Sequence, residues 1–291
     1  MILRPFEYVE CVSVEDAVGA LKRYGDAARV IAGGTALVPL MKHQVLRPEV
    51  LVSVARIPDL ADISVGSDGG VRVGALATHW NICRSLIVRE RSPLLASACG
   101  RVASPPIRSM GTLGGNLCYG ESASDPSPAL LALRAQVRLA GGRGERIVPL
   151  TEFFTGFYET ALTEGEILTW VEVPLLPSGA RWRYLKWTPR AQEDKALVGL
   201  AVLLVLEGRD CHLARLGLGG VAASPVVLRQ AERVLEGAEL DERRIAAAAD
   251  AAAAEVDPID DFQGSAEYRR EMVRVWVRRV VSDLVAQGGV R

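Results

Sequence analysis

The sequence is poor in the side chains that build metal centres. It has five cysteines and three histidines among 291 residues. No two cysteines form a Cys-x-x-Cys pair, and His43, His79 and His212 are isolated from one another. Local spacing therefore supports neither a zinc or iron–sulfur site nor a histidine-based catalytic triad. An odd number of scattered cysteines favours buried thiols in a reducing compartment.

The chain also lacks a long apolar run and an excess of charge. No stretch reaches the roughly 18 uncharged apolar residues of a membrane span, and the N-terminus has no apolar signal core, so we expect a cytoplasmic protein without a membrane span. Its 34 basic and 35 acidic residues nearly cancel. Because no basic patch is interleaved with aromatic residues, nucleic acid is not an expected partner. The length permits two or three domains with buried cores.

Two glycine-rich segments are the most informative feature that is present. Residues 32–36 read Ala-Gly-Gly-Thr-Ala between a short apolar strand at 29–32 and a helical pattern at 37–41. About eighty residues later, Gly111, Gly114 and Gly115 surround a hydroxyl and an amide. Glycine lets consecutive backbone N–H groups point together at an anion. Two such loops suit a diphosphate, although two tight strand-to-helix turns would give the same pattern.

Two further motifs bear on this interpretation, and a third, the P-loop, is absent. Asp125 followed by Pro126 predicts an N-cap and the start of a helix beside the second loop. Residues 217–222 satisfy the G-x-G-x-x-A pattern, but Pro225 follows closely and the flanking strands look antiparallel, so we reject a dinucleotide fingerprint there. The helix-cap role of Asp125 needs no ligand and is compatible with one.

The element pattern predicts an α+β protein of three parts. Residues 1–56 form a small β-α-β unit, with a helix beginning at Ser13 and ending at Gly25. Residues 57–176 contain hairpins around 62–75 and 136–148, several helices and a strand at 167–173. A Pro- and Gly-containing linker at 175–179 leads into residues 177–291, for which strands at 181–186, 196–206 and 211–218 and helices at 245–255 and 266–285 predict a sheet backed by helices.

The glycine segments occur with other motifs in a recognisable order. That order is Ala32-Gly33-Gly34-Thr35 with Leu37, then 112–117, Asp125, 186–196 and 219–222. Over nearly its whole length the sequence resembles the FAD-binding medium subunit of molybdenum hydroxylases, the relatives of carbon monoxide dehydrogenase and xanthine dehydrogenase. The resemblance implies the two-subdomain FAD-binding fold shared with vanillyl-alcohol oxidase, followed by a C-terminal domain of a three-stranded antiparallel sheet and helices.

The resemblance also implies which residues hold FAD. Residues 30–37 would wrap the diphosphate, 112–116 would form the second half of the clamp, Asp125 would lie near the ribose or ribityl hydroxyls, Val102 at the adenine side and Lys186 near the flavin ring. The implied contacts are Val30, Ile31, Ala32, Gly33, Gly34, Thr35, Ala36, Leu37, Val102, Thr112, Gly114, Gly115, Asn116, Asp125 and Lys186. No catalytic residue and no metal ligand is predicted. Lys195 departs from the family, whose members often have an aromatic residue there.

The functional expectation is an electron-transfer subunit of a multi-subunit oxidoreductase. The resemblance implies that a molybdenum-cofactor large subunit and an iron–sulfur small subunit deliver electrons to FAD, which passes them to an acceptor such as a quinone, NAD or oxygen. A heterotrimer or its dimer is expected, because this chain lacks the cysteine spacing for clusters. Two alternatives stay open: a self-contained flavin oxidase or reductase, and a nucleotide-binding module without a redox role.

Overall fold

A computed structural model describes residues 3–191 and 193–287. Its N-terminal part is a small parallel sheet with flanking helices. The elements are β1 (Glu7–Glu10), α1 (Val14–Tyr24), a 3-10 turn (Gly25–Ala27), β2 (Ala28–Ile31), α2 (Leu37–Lys42) and β3 (Val50–Ser53). The strand order is β1-β3-β2, with both pairings parallel. The predicted β-α-β unit is present, and the predicted cap is confirmed because the Ser13 side chain accepts the N–H of Asp16.

The middle part is built on a five-stranded sheet and a set of short helices. Its strands are β4 (Ile63–Val65), β5 (Val71–Gly74), β6 (Gln136–Gly141), β7 (Gly144–Pro149) and β10 (Ile167–Val173), with β8 (Phe154–Gly156) and β9 (Glu159–Thr160) as a separate pair. Its helices are α3 (His79–Arg84), α4 (Leu86–Arg91), α5 (Pro93–Cys99), α6 (Pro105–Met110), α7 (Leu113–Tyr119), α8 (Pro126–Ala132) and α9 (Leu150–Phe153). The sheet order β4-β5-β10-β6-β7 is antiparallel throughout.

The C-terminal part is an antiparallel sheet covered on both faces. It contains β11 (Ala180–Trp187), β12 (Val198–Glu207), β13 (Asp210–Gly219), β14 (Val226–Val227), α10 (Arg229–Leu235), β15 (Ala238–Glu239), α11 (Glu242–Ala254) and α12 (Ala266–Ala286). The three predicted strands pair antiparallel as expected, and the two short strands β14 and β15 extend them.

The sheet's two faces belong to different cores. Ala201 and Leu203 of β12 point into the core of the middle part, whereas Leu200 and Val202 point into the core made with α10, α11 and α12. Successive strand residues face opposite sides, so a strand buried on both faces is apolar throughout. The C-terminal part is thereby fixed against the middle part.

The rejected G-x-G-x-x-A segment has a packing role. Gly217 and Gly219 lie in antiparallel β13. A Cβ on Gly217 would lie 2.1 Å from the backbone oxygen of Pro128 in α8. Only glycine permits this approach, so the glycines bring α8 directly onto the sheet.

Candidate functional site

A cavity of about 320 Å³ lies where the two glycine segments meet. Their backbones are in contact: a Cβ on Gly33 would lie 1.9 Å from the backbone oxygen of Met110. Two segments that are about eighty residues apart in the chain therefore line one cavity. Thirteen of the fifteen expected FAD contacts line the cavity, namely Val30, Ile31, Ala32, Gly33, Gly34, Thr35, Ala36, Leu37, Val102, Thr112, Gly114, Gly115 and Asn116.

The first glycine segment offers a row of free backbone donors. It runs from the end of β2 at Ile31 to the start of α2 at Leu37, and Gly34 has a φ of +68°, which favours glycine. In the part of the chain that the structure describes, the N–H groups of Gly33, Gly34, Thr35 and Ala36 donate to no acceptor. Consecutive unpaired N–H groups beside a helix start are the geometry that binds phosphate oxygens. This segment fits a diphosphate.

The second glycine segment is not the loop of free amides that the sequence predicts. Gly114 and Gly115 lie in the first turn of α7, where the Gly114 N–H donates to the Ala75 oxygen at 2.9 Å. The Gly115 and Asn116 N–H groups donate to the side-chain and backbone oxygens of Thr112 at 3.1 and 3.0 Å. The prediction of a loop was wrong because Thr112 caps a helix here. The two glycines had argued against a helix at this point of the sequence.

What this second segment does present is side-chain donors and close packing. The Thr112 hydroxyl accepts from Gly115 and keeps its own hydrogen available. The Asn116 side-chain oxygen accepts from Ser124 at 2.6 Å, which leaves its NH₂ group to donate. A Cβ on Gly114 would lie 2.6 Å from that of Ala75, so the glycine lets α7 approach the end of β5. The first segment thus offers backbone donors to the cavity, whereas the second offers side-chain donors.

Asp125 and Lys186 do not line the cavity but bind each other. Asp125 occupies the N-cap position of α8, yet its side chain makes no capping bond there, contrary to the sequence prediction. Its carboxylate accepts from Lys186 at 2.9 Å and from the Tyr184 hydroxyl at 2.7 Å, and both charged side chains are buried. Burial raises the pKa of Asp125, and Lys186 opposes that shift.

The same lysine reaches the rim of the cavity through the backbone. Lys186 Nζ also donates to the Arg101 carbonyl at 2.9 Å, next to the cavity-lining Val102. Arg108 donates to the Val102 and Ala103 carbonyls at 2.7 and 2.6 Å. Lys186 of the C-terminal sheet and Arg108 of α6 thereby hold the backbone around Val102 in place.

His79 is a cavity residue that sequence reasoning missed. It is 2% exposed, and its backbone N–H donates to the Gly111 oxygen at 3.1 Å, beside the second glycine segment. Burial and the nearby Arg108 lower the pKa of His79 to about 4, so the ring is neutral at physiological pH. Its Nδ1 is buried and has no hydrogen-bond partner among the described residues. No local motif marks His79, because Gly111, to which its backbone N–H donates, lies about thirty residues later in the chain.

Two carboxylates stabilise the surroundings of the cavity. Glu166, which lines it, is held by Arg146 at 2.7 Å, and that pairing lowers the pKa of Glu166 to about 2. Glu121 follows α7 and accepts from the Tyr158 hydroxyl at 2.6 Å and from Lys195. Lys195, the departure from the family pattern, is therefore an ion-pair partner of Glu121. This pair ties the connection between β11 and β12 to the end of α7.

The described residues contain neither a metal-binding group nor a membrane-spanning helix. Among residues 3–191 and 193–287, no group of three or more His, Cys, Asp or Glu side chains could hold a metal ion. Over the same residues, none of the helices has the length and apolar character needed to cross a bilayer. The cavity-lining Cys118 is kept protonated by burial, which raises its pKa to about 12.

Known proteins that are similar to this chain in sequence and fold belong to one class. Residues 4–176 match the family described as the FAD binding domain in molybdopterin dehydrogenase, and residues 183–284 match the CO dehydrogenase flavoprotein C-terminal domain. The 6-hydroxypseudooxynicotine dehydrogenase complex subunit alpha of Paenarthrobacter nicotinovorans is 36% identical, with 95% of this chain and 93% of the relative covered.

Two carbon monoxide dehydrogenases are similar over the whole chain. The medium chain from Afipia carboxidovorans is 36% identical, with 99% of each chain covered. The solved carbon monoxide dehydrogenase from Hydrogenophaga pseudoflava, in a form lacking the Mo-pyranopterin moiety, contains a chain with a TM-score of 0.95 and 35% identity, covering 98% of this chain and 99% of that one. The predicted α+β class, with its FAD-binding part followed by a C-terminal sheet and helices, is confirmed.

Proposed function

Because this chain belongs to the family of FAD-binding subunits of molybdopterin dehydrogenases, we propose that it is the electron exit of such a complex. It is an oxidoreductase subunit that carries the FAD-binding domain. Electrons would reach it from iron–sulfur clusters on a small subunit, which in turn receives them from a molybdenum-cofactor large subunit. They would leave to an external acceptor such as a quinone, NAD or oxygen.

The first glycine segment carries this proposal. The four unpaired N–H groups at Gly33, Gly34, Thr35 and Ala36 would bind the diphosphate of FAD. Thr112 and Asn116 would donate from the opposite wall, and the apolar lining, including Leu40 and Leu168, would exclude water. When bound, the flavin supplies a centre that accepts two electrons together or one at a time.

Of the remaining expected contacts, Val102 lines the cavity directly, whereas Lys186, paired with Asp125, acts on it through the backbone. Val102 would lie against the adenine, held in place by Arg108 and by Lys186 on the neighbouring carbonyl. We propose that Asp125 and Lys186 position this segment, as a pair, in addition to any contact with the ribityl chain or ring. Their mutual 2.9 Å bond and their burial support this role. The His79 ring lies beside Gly111 and is neutral, so it adds no charge to the proposed diphosphate site.

Two wider features of the proposal rest on the chain as a whole. The redox centres that this chain lacks would sit on partner subunits, and a heterotrimer or its dimer is the expected assembly. All five cysteines are free. Free thiols are typical of a reducing compartment, which supports a cytoplasmic location.

The test is an absorbance spectrum of the purified chain, alone and after addition of FAD, followed by identification of the chains that copurify from its source. We expect flavin absorbance that remains after removal of free FAD, together with two partner chains. A chain that stays colourless at saturating FAD would contradict the proposal. Copurification without any partner would favour a self-contained flavin enzyme instead.

A further inference from the structure

A second cavity, of about 330 Å³, lies at the junction of the middle and C-terminal parts. It shares no lining residue with the first cavity. Its walls come from Arg134, two residues after α8, from β13, and from α10 and the residue that follows it. The charged residues that line it are four arginines and two glutamates: Arg134, Arg215, Arg229, Arg233, Glu232 and Glu236. We call this set the arginine pocket.

The two glutamates of the arginine pocket are already committed to the fold. Glu232 is buried; one of its oxygens accepts from Arg134 at 2.6 Å and the other accepts the Leu216 N–H at 2.8 Å. Glu236 accepts the Ala214 N–H at 3.0 Å. Both carboxylates thus satisfy backbone groups of β13. Glu232 also attracts Arg229, and both glutamates attract Arg215, so the four arginines and two glutamates of the pocket keep an excess of two positive charges.

The other three guanidinium groups of the pocket make no direct polar contact in the described part of the chain, although both glutamates lie close enough to attract Arg215. Within residues 3–191 and 193–287, Arg215, Arg229 and Arg233 make neither a hydrogen bond nor an ion pair. Arg215, on β13, is half-buried; burial and the nearby Arg134 lower its pKa, and Glu232 and Glu236 oppose that shift. Arg229 and Arg233 stand one helical turn apart on α10, so their side chains share a face. Positive charges that line one concave surface, with one of them half-buried, favour the binding of an anion.

The number of these cations, and their origin on two different elements, indicate the kind of anion. A carboxylate brings one negative charge and accepts in a single plane, which matches one guanidinium group. A phosphate group brings nearly two charges and accepts on oxygens that point in several directions. Arginines from β13 and from α10 line the same cavity, and a cavity of this size lies in the range of small-ligand sites. We propose that the arginine pocket binds a small phosphorylated molecule through its phosphate groups.

The test is a calorimetric titration of the full-length chain with pyrophosphate. Excess FAD is present throughout to keep the first cavity occupied, and the ionic strength is held constant with chloride. We expect saturable binding at one site. Arg215→Gln and Arg233→Gln should each weaken it by at least about tenfold, because each removes a charge-assisted hydrogen bond. Arg134 is left intact, because its loss would leave the buried Glu232 unpaired.

The matched control is Arg278→Gln, which removes the same charge from an exposed position on α12 outside the pocket. It should bind pyrophosphate like the parent chain. The absence of saturable binding in the parent would overturn the proposal. So would an equal loss in the control, or parental affinity in both pocket variants. The assignment does not depend on FAD, because only substitutions in the arginine pocket define the site.

A second arm separates a small ligand from an acidic partner protein. The same titration is run on the complex as purified with its copurifying chains. Retained binding, with the same sensitivity to Arg215→Gln, supports a ligand pocket that stays open in the assembly. Binding by the free chain that disappears in the complex would assign the arginines to a subunit interface and overturn the proposal.

Discussion

Gly33→Ala is the substitution that separates a diphosphate site from an ordinary tight turn. The added Cβ would lie 1.9 Å from the Met110 oxygen, whereas real Cβ atoms essentially never come closer than 3.0 Å to such an atom. Because the obstructing atom belongs to the backbone, no side-chain rotation relieves the clash. The two glycine segments must therefore move apart by about 1 Å, which would break at least one hydrogen bond from the amides of residues 33–36 to a charged phosphate, worth about 1.5–3 kcal/mol.

We expect Gly33→Ala to weaken FAD binding by about a hundredfold, measured by titration of flavin fluorescence. Overpacking of this kind costs about 1–3 kcal/mol of unfolding free energy, which urea denaturation of the FAD-free chain measures separately. Gly142→Ala is the control, because a Cβ there meets nothing within 4 Å. It should leave both quantities unchanged.

The refuting result is parental FAD affinity in Gly33→Ala. It would mean that the contact between the two segments does not define the binding geometry. An equal loss of affinity in Gly142→Ala would also contradict the reasoning, because that glycine lies in the β6–β7 turn, outside the cavity lining.

Three other substitutions test the groups around the cavity. Lys186→Met leaves the buried Asp125 carboxylate without its cationic partner and should lower the free energy of unfolding, measured in urea, by about 3–5 kcal/mol. The double variant Lys186→Met/Asp125→Leu should recover most of that loss. If Lys186→Met alone has the stability of the parent, the ion pair does not stabilise the fold. Because burial lowers the pKa of His79 from 6.5 to about 4, the unfolded chain binds more protons between these values and stability falls as the pH drops through them. His79→Gln should flatten that slope in urea denaturation, and an unchanged slope would assign it to another group. Arg146 holds the pKa of Glu166 at about 2 instead of 4.5, so the pair stabilises the fold above pH 4.5 and loses this effect as the pH falls toward 2. Glu166→Gln should therefore be less stable than the parent at neutral pH, with a gap that narrows below pH 4.5; a pH-independent gap would contradict the pairing.

Local patterns predicted the first glycine segment well because its geometry is local. A short apolar strand, two glycines and a helical pattern within fifteen residues specify a strand-to-helix turn, and the structure has β2 and α2 there. The hairpins and the strands of the C-terminal part follow equally from alternation and turn residues. The resemblance to a known family supplied what pattern alone could not, namely the cofactor.

The errors arose where distant contacts override local preference. Two glycines argue against a helix at Leu113–Tyr119, but the bonds of Gly114 to Ala75 and of Leu113 to Ala77 fix the first turn from outside. Strand β1 was not predicted, because its polar residues pair with β3 about forty residues later. Asp125 has the sequence signature of a cap, yet its partners are on β11. Such pairings depend on tertiary structure, which single-sequence patterns do not encode.

The most direct measurement of the central claim is a crystal structure of the chain with FAD. The account predicts that the diphosphate oxygens lie within hydrogen-bonding distance of the Gly33–Ala36 amides, facing Thr112 and Asn116 across the cavity. A diphosphate bound anywhere else, with those amides still unpaired, would contradict it.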